Sequence, residues 1–194
     1  MDPLIAAWEV GEFLSSHGIR YAIIGGLAVQ IWGEPRLTID ADLTISAPLD
    51  DDSSPLVSLI TGQFSSRVAD PYKFTQQTRM ILITASNGVD VDISLALPGY
   101  EDEMFARTVE VELQSGRSIR LCSAEDLIIH KAIAGRPQDT IDIQGVIYRQ
   151  GDKLNIIAIR AWLGGQFSDI LENREILARF EKLWIEYQSS PTGA

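Results

Sequence analysis

The sequence predicts an α/β (α+β) fold that ends in a group of helices, and three observations support this fold class. An apolar run at Tyr21–Ile24 has the composition of a buried strand and stops at Gly25–Gly26. Two further apolar segments between residues 80 and 95 are joined by Asn87–Gly88, a dipeptide that favours a tight β-hairpin. From Lys153 to Gln188 apolar residues recur at helical spacing, so this part is expected to be helical.

Local signals set the ends of the other elements. Asp2 and Pro3 are a favourable N-cap and first residue for a helix, and Ser123 is a favourable N-cap for another. Arg67–Phe74 is predicted to be irregular because Pro71 interrupts it. In chain order, the predicted elements are a helix from Pro3 up to Ser15–Gly18, strand Tyr21–Ile24, helix Leu27–Trp32, strand Leu37–Ile45, helix Leu56–Phe64, strands Met80–Ala85 and Val89–Leu95, strands Thr108–Leu113 and Ser118–Leu121 around a turn at Gln114–Arg117, helix Ala124–Ala134, a helix from Pro137, and two helical segments between Lys153 and Gln188.

Size and composition limit the classes of protein that this chain can belong to. Its 194 residues, 45% of them apolar, are enough for one compact domain or for a core with a small appendage. No apolar run approaches the roughly 20 residues of a membrane span. The N-terminal MDPLIAAWEV is acidic where a secretory signal is basic, and the lone Cys122 excludes an internal disulfide, so a cytoplasmic protein is expected. The net charge of −11 argues against broad nonspecific binding of nucleic acid and suits a basic partner or a cationic small substrate.

The second predicted strand carries the first candidate site. Asp40 and Asp42 alternate with other residues on it, so their side chains are expected on one face, about 7 Å apart along the strand. Two such carboxylates repel each other unless a cation lies between them, and Mg²⁺ prefers oxygen ligands of this kind. Gly25 and Gly26 follow the neighbouring strand and begin a helix, where backbone N–H groups can approach a phosphate closely.

Other acidic residues could complete a metal site. Asp90 and Asp92 lie at alternating positions of the second hairpin strand and are therefore expected on one face. The acidic run Asp50–Asp52 is either a metal ligand set or a solvated loop, and the loop is the favoured interpretation.

At these residues the chain resembles the polymerase-beta-like nucleotidyltransferase superfamily. The signature of that superfamily is a strand, Gly-Gly or Gly-Ser, a short helix and then Asp-x-Asp or Asp-x-Glu on the next strand. Gly25–Gly26 and Asp40–Ala41–Asp42 match it, and the string GEPRLTIDADL is similar to the AbiEii-like branch, the nucleotidyltransferase toxins of toxin–antitoxin systems. The resemblance implies a nucleotidyltransferase fold, a small mixed β-sheet flanked by helices.

The resemblance also implies an activity and its cofactor. The enzymes transfer an NMP group from an NTP, ATP among them, to an acceptor hydroxyl with two Mg²⁺ (or Mn²⁺) ions. Asp40 and Asp42 would bridge the metals, and Asp92, in the string VDIS, matches the third carboxylate better than Asp90 does. Gly25 and Gly26 would hold the β- and γ-phosphates.

A later block, EDLIIHKAIAGRPQDTIDI, extends the resemblance to the AbiEii-like proteins. By this match Lys131 contacts the triphosphate and Arg136 assists it, while Asp139 and Asp142 fix the basic side chains and the helix junction. A lysine whose stem packs along an amphipathic helix is the alternative for Lys131. Arg36 either contacts phosphates or the acceptor, or is a structural arginine paired with a carboxylate.

The domain organisation and partners follow from the same resemblance. Residues 1–122 are expected to form the nucleotidyltransferase core, and residues 123–194 a helical region packed on it. The partners are the NTP, an acceptor that is RNA, a protein or a small molecule, and, for a toxin, an antitoxin protein; no membrane is involved. The alternative is a catalytically silent fold that binds a partner.

Overall fold

The computed structural model describes residues 1–47, 53–96, 99–113, 116–165, 167 and 175–190. By packing, the chain divides into two compact units. The first unit contains Met1–Leu27 and Leu37–Cys122, and the second contains Ala28–Arg36 and Ser123–Ala194. The predicted run Asp50–Asp52 and the turn residues Gln114 and Ser115 lie outside the described residues.

The described part of the chain forms nine α-helices and seven β-strands. The helices are α1 (Pro3–Ser16), α2 (Gly25–Trp32), α3 (Ser54–Gln63), α4 (Pro71–Thr78), α5 (Tyr100–Ala106), α6 (Ala124–Ala134), α7 (Pro137–Gln150), α8 (Ile156–Gly164) and α9 (Glu175–Gln188). The strands are β1 (Tyr21–Ile24), β2 (Ala41–Ile45), β3 (Ser65–Ser66), β4 (Met80–Thr84), β5 (Asp90–Leu95), β6 (Val109–Leu113) and β7 (Arg117–Leu121).

All seven strands form one mixed sheet in the first unit, in the order β3-β4-β5-β2-β1-β7-β6. The hairpins β4–β5 and β6–β7 are antiparallel, as predicted from the sequence. In the centre, β2 runs antiparallel to β1 and parallel to β5. The apolar residues of these central strands are almost fully buried, which makes β1, β2 and β5 a rigid support for the polar side chains beside them: Ala22, Ile23, Ala41, Leu43, Ile45, Val91 and Ile93.

The second strand is shorter than the prediction. β2 begins at Ala41, so Asp40 precedes the strand, and Leu37 and Ile39 are 85% and 77% exposed. The reason is that pairing stops on both sides: Ile24, the last residue of β1, pairs with Asp42, and the first pair with β5 is that of Ala41 and Val91. Beyond Ile24 the chain of β1 turns into α2 and offers no ladder to residues 37–40.

Two helices of the first unit were not predicted. The segment expected to be irregular contains α4, because Pro71 is the first residue of a helix whose N-cap, Asp70, accepts a hydrogen bond from the backbone of Lys73. Helix α5 follows Gly99, which has a φ of 103° that favours glycine, and carries three acidic residues in its first turn.

The second unit is helical and includes most of α2 and the residues after it up to Arg36. Helices α6, α7, α8 and α9 pack against one another around Leu127, Ile147 and Phe180. Arg149 donates to the carbonyl of Gly33 at 2.7 Å and Gln150 to the carbonyl of Trp32 at 2.8 Å, which fixes the end of α2 to α7. None of the helices in the described part of the chain combines the length and the hydropathy that crossing a bilayer requires.

Candidate active site

The centre of the candidate site is a pair of carboxylates on adjacent parallel strands. Asp42 of β2 is the register partner of Asp92 of β5. Partners in neighbouring strands lie about 4.8 Å apart with their side chains on the same face. Asp42 and Asp92 are half-buried, while Val91 and Ile93 on either side of Asp92 face the core. The sheet therefore holds two acidic side chains next to each other on its more open face.

The glycine turn lies against one member of this pair, Asp42. Gly25 is the first residue of α2 and has a φ of 62°, in the left-handed region that favours glycine. A Cβ at Gly25 would collide with the carboxylate of Asp42. Both the backbone conformation and the close approach therefore require glycine at this position, where the Asp42 carboxylate packs against the backbone that follows β1.

Thr38 links the next glycine to Asp40. A Cβ at Gly26 would lie 2.9 Å from the Cβ of Thr38. The hydroxyl of Thr38 donates to Oδ1 of Asp40 at 2.9 Å. Asp40 is thus positioned by a local hydrogen bond rather than by the strand, and Thr38 is a site residue that the sequence prediction missed. A threonine two residues before an aspartate was its only local signal.

Arg67 is the second residue that the sequence prediction missed. Its guanidinium forms an ion pair with Asp92, and its Nε lies 3.4 Å from Oδ2 of Asp90. Oδ1 of Asp90 also accepts from the hydroxyl of Thr84 at 3.2 Å. Arg67 follows the two-residue strand β3, and its N–H donates to the carbonyl of Leu82 at 3.0 Å. The two carboxylates of β5 therefore share one cation, which is anchored through the backbone of the edge strand.

A cavity of about 620 Å³ lies beside these groups in the first unit. Its polar lining includes the carboxylates of Asp40, Asp90 and Asp92 and the guanidinium of Arg67, and its apolar lining includes the exposed Leu37 and Ile39. This volume is within the range of roughly 300–1,000 Å³ of small-molecule sites. Asp40, Asp90 and Asp92 thus line a space that can admit a substrate.

The basic residues predicted to contact the nucleotide all belong to the second unit. Arg36 makes a two-point ion pair with Asp142, with nitrogen–oxygen distances of 2.9 Å and 3.1 Å. Of the two roles left open for Arg36, the structure shows the pairing with a carboxylate. Burial alone would raise the pKa of Asp142, but hydrogen bonds from Arg36, Lys131 and Gln138 outweigh this effect and lower that pKa below its ordinary value.

Lys131 joins the two buried carboxylates of α7. Its Nζ lies 2.8 Å from Oδ1 of Asp139 and 2.8 Å from Oδ2 of Asp142, and only 11% of its side chain is exposed. Asp139 also accepts from the backbone N–H of Arg136 at 3.0 Å, which caps α7. The Arg136 side chain is 78% exposed and lies 3.8 Å from Asp139. Asp139 and Asp142 therefore fix Lys131, Arg36 and the α6–α7 junction to one another.

The donor chemistry of the site fits a hard divalent cation. Asp42 and Asp92 offer only carboxylate oxygens, which Mg²⁺ and Mn²⁺ accept as ligands. Asp92 already forms an ion pair with a cation, the guanidinium of Arg67. Within the described residues, no group of three or more histidine, cysteine, aspartate or glutamate side chains is arranged to hold an ion. The carboxylates therefore suit a metal by chemistry, while Arg67 engages Asp92 in the present arrangement.

Comparison with known proteins identifies relatives by fold rather than by sequence. No family model matches the chain, and no curated protein matches it. The solution structure of the antibiotic-resistance factor ANT(2'')-Ia is similar with a TM-score of 0.58 and 15% identity, covering 90% of this chain and 99% of that one. ANT(2'')-Ia in complex with adenylyl-2''-tobramycin gives a TM-score of 0.51 and 17% identity, over 82% and 94% of the two chains. An antigenic nucleotidyltransferase-like protein from Paracoccidioides brasiliensis gives 0.49 and 16%, over 91% of each chain.

These similarities concern the fold. The chain has an α/β architecture with a seven-stranded mixed sheet flanked by helices, and it matches the architecture of ANT(2'')-Ia over almost its whole length. The predicted fold class is therefore confirmed. The assignment to the AbiEii-like branch remains a prediction from the sequence.

Proposed function

We propose that this protein is a metal-dependent nucleotidyltransferase that transfers NMP from an NTP to an acceptor hydroxyl. The observation that carries the proposal is the contact of the Gly25 turn with Asp42, beside the register partner Asp92. A glycine turn at a helix start can bind phosphate through N–H groups, and the adjacent carboxylates suit the cation that accompanies it. The shared fold with ANT(2'')-Ia supports this class of reaction.

Each site residue of the first unit has a distinct role in this reaction. Gly25 and Gly26 bind the β- and γ-phosphates through the backbone, because glycines at a helix start let N–H groups approach a phosphate closely. Asp40, Asp42 and Asp92 are the ligands for Mg²⁺ or Mn²⁺. When bound, these ions neutralise charge on the transferring phosphoryl group and favour ionisation of the acceptor hydroxyl. Thr38 orients Asp40, and Asp92 faces the cavity where it can orient the acceptor hydroxyl.

The residues of the second unit have supporting tasks in the proposal. Lys131 contributes positive charge toward the triphosphate, with Arg136 assisting it, as the resemblance to the AbiEii-like proteins implies. Asp139 and Asp142 keep Lys131 in one conformation, because they bind its ammonium group from two sides. Arg36 acts through Asp142 and stabilises the segment that joins α2 to β2. In this scheme residues 1–122 carry the catalytic groups and residues 123–194 form the helical region, with Ala28–Arg36 packed in the second unit.

The cavity and the net charge of the chain bear on the identity of the acceptor. The cavity of about 620 Å³ suits a small hydroxylated molecule or a single terminal nucleotide. One of the ANT(2'')-Ia structures contains an adenylylated antibiotic, which supports a small-molecule acceptor for a protein of this fold. The net charge of −11 disfavours an extended contact with RNA. A toxin that modifies RNA or a protein, with an antitoxin partner in the cytoplasm, is the role that the AbiEii-like motif suggests.

The direct test is a labelling experiment. Purified protein is incubated with Mg²⁺, each α-labelled NTP in turn, and three acceptor pools: total RNA, cell lysate and a panel of hydroxylated small molecules. The matched variant is Asp40→Ala with Asp42→Ala. Label transferred by the wild type and not by the double variant establishes the enzyme, its nucleotide and its acceptor.

If no label is transferred, NTP binding distinguishes two explanations. Metal-dependent NTP binding without transfer to any pool indicates that the acceptor or a partner is missing from the assay. An absence of both transfer and metal-dependent NTP binding excludes the catalytic proposal and leaves the silent, partner-binding fold.

A further inference from the structure

Arg67 is an anchored cation on the third carboxylate of the proposed site. Its guanidinium pairs with Asp92 and lies 3.4 Å from Asp90, and 28% of its side chain is exposed. Its backbone N–H bonds to Leu82 in β4, so the side chain starts from a fixed point on the sheet. The ion pair is therefore a feature of the folded sheet rather than of a mobile surface chain.

In the proposed site the carboxylate of Asp92 has two cationic partners, Arg67 and a divalent ion. In the proposed function Asp92 binds a divalent ion together with its register partner Asp42. A guanidinium and a divalent ion are both cations. When both contact the same carboxylate they lie close together and repel each other. Binding of the ion must therefore weaken the bond between Arg67 and Asp92.

Asp90 provides a second position for the guanidinium. It lies two residues before Asp92 on β5, on the same face of the strand, and Arg67 already contacts it. Asp90 is also held by Thr84 on the neighbouring strand. A small rotation of the Arg67 side chain toward Asp90 would release Asp92 without leaving the arginine unpaired.

We propose that Arg67 neutralises Asp92 before the divalent ion binds and pairs with Asp90 once the ion is present, so that Arg67 sets the metal affinity of the site. This inference rests on the proposed function. Arg67 acts through Asp92 and is a positioning residue, and Asp90 is its alternative partner rather than a metal ligand.

Metal affinity tests the inference without a catalytic assay. Mn²⁺ alone is titrated into the full chain, and free Mn²⁺ is measured by electron paramagnetic resonance. Arg67→Gln removes the competing charge and should bind Mn²⁺ about two- to fivefold tighter, the range that a partly exposed ion pair supplies. Arg67→Lys keeps the charge but replaces the planar guanidinium fork with a compact ammonium on a flexible stem, so its affinity should fall between the two. Arg20→Gln breaks an Arg–Asp pair elsewhere in the unit, that with Asp102, and should match the wild type.

The Asp90→Asn variant supplies a second, independent measurement. It removes the alternative partner, so Mn²⁺ must compete with the full Arg67–Asp92 pair and should bind about two- to fivefold more weakly. The double variant with Arg67→Gln should lose this penalty, since the two substitutions act through one interaction. If Arg67→Gln does not fold, the Asp90→Asn and Arg67→Lys variants decide the question.

The outcomes separate the inference from the proposed function. Mn²⁺ binding by the wild type that Asp42→Asn abolishes, with Arg67→Gln and Asp90→Asn both equal to the wild type, overturns the role of Arg67 alone. An absence of Mn²⁺ binding in every protein, with and without NTP, overturns both the inference and the metal-dependent function.

Discussion

Asp42 and Asp92 lie directly opposite each other on the parallel strands β2 and β5. Asp90, the other candidate for the third carboxylate, is the pair partner of Thr84 on the opposite side of its strand. Asp90 lies two residues, about 6.6 Å, from Asp92 along β5, and its carboxylate contacts the Thr84 hydroxyl and Arg67. The register of the sheet therefore gives the two aspartates of β5 different neighbours.

This difference leads to the first prediction. Asp92→Asn should lower turnover by about 10²–10³, the scale expected when one charged group that stabilises the transition state is lost. Asp90→Asn should keep turnover within about tenfold of the wild type, because it changes only the partner of Arg67. The measurement is the rate of NMP transfer under saturating Mg²⁺ and NTP.

The control for this comparison is Asp102→Asn, which removes an exposed aspartate of the same unit that pairs with Arg20. Its turnover should equal that of the wild type. A larger loss in Asp90→Asn than in Asp92→Asn would exchange the roles assigned to the two residues.

The second prediction concerns Gly25. In Gly25→Ala the new Cβ must occupy the space of the Asp42 carboxylate, and the backbone must keep a positive φ. The conformational cost alone is about 1–3 kcal/mol of unfolding free energy. The displacement of Asp42 should in addition weaken Mn²⁺ binding, measured by the same titration, and NTP binding, measured by calorimetry.

Gly18→Ala is the matched control, since Gly18 has a φ of 71° and a Cβ added there would meet no other atom within 4 Å. It should lose about 1–2 kcal/mol for the left-handed conformation and bind metal and NTP normally. Equal effects of the two substitutions on Mn²⁺ binding would show that the contact between Gly25 and Asp42 has no part in the site.

The parts of the fold and the site that could be predicted from the sequence are those set by residues close together in the chain. The apolar run before Gly25–Gly26 and the Asn87–Gly88 turn are local patterns, and the structure has a strand and a hairpin there. The start of β2 could not be predicted, because it depends on where β1 stops pairing. Arg67 could not be predicted either, since the strand that positions it has only two residues and is defined by its partner β4.

In the second unit, too, the partner of a charged residue could not be predicted when it lies far away in the sequence. Nothing local to Arg36 indicates its partner, because Asp142 is 106 residues away in sequence. The interpretation of Asp139 and Asp142 as residues that fix basic side chains agrees with the contacts that the structure shows. Contact of Lys131 with a triphosphate stays a prediction from the sequence.

The third prediction follows from the burial of this network. Asp142→Asn leaves Lys131 and Arg36 with one charged partner fewer, in a place where the Asp142 side chain is 2% exposed. The free energy of unfolding should fall by about 3 kcal/mol, measured by urea denaturation followed by circular dichroism. Glu175→Gln, which removes an exposed partner of Arg179 in the same unit, is the control and should change stability by less than about 1 kcal/mol.

The acid side of the stability curve tests the same residue. The pKa of Asp142 is lower in the folded protein than its ordinary value, so the unfolded chain takes up the proton first as the pH falls. The stabilisation by Asp142 is complete above the unfolded pKa and is lost as the pH falls through the folded pKa. Asp142→Asn should remove this part of the acid dependence, and an unchanged slope below about pH 4 would contradict the pairing.

The fourth prediction concerns His130, which lies beside Lys131 on α6. Burial lowers the pKa of His130 below 6.5, and the nearby Asp126 only partly opposes this effect. As the pH falls through about 6.5, the unfolded chain binds a proton at this position that the folded protein resists. Stability should therefore decrease from about pH 7 toward about pH 5, with a slope of at most about 1.4 kcal/mol per pH unit from this one group.

In His130→Gln this slope should be reduced, because the residue that titrates is gone. His17→Gln replaces the chain's other histidine, an exposed residue, and is the matched control. Urea denaturation at pH 7, 6 and 5 measures all three proteins, and equal slopes for the wild type and His130→Gln would show that protonation of His130 does not limit the stability of the folded chain.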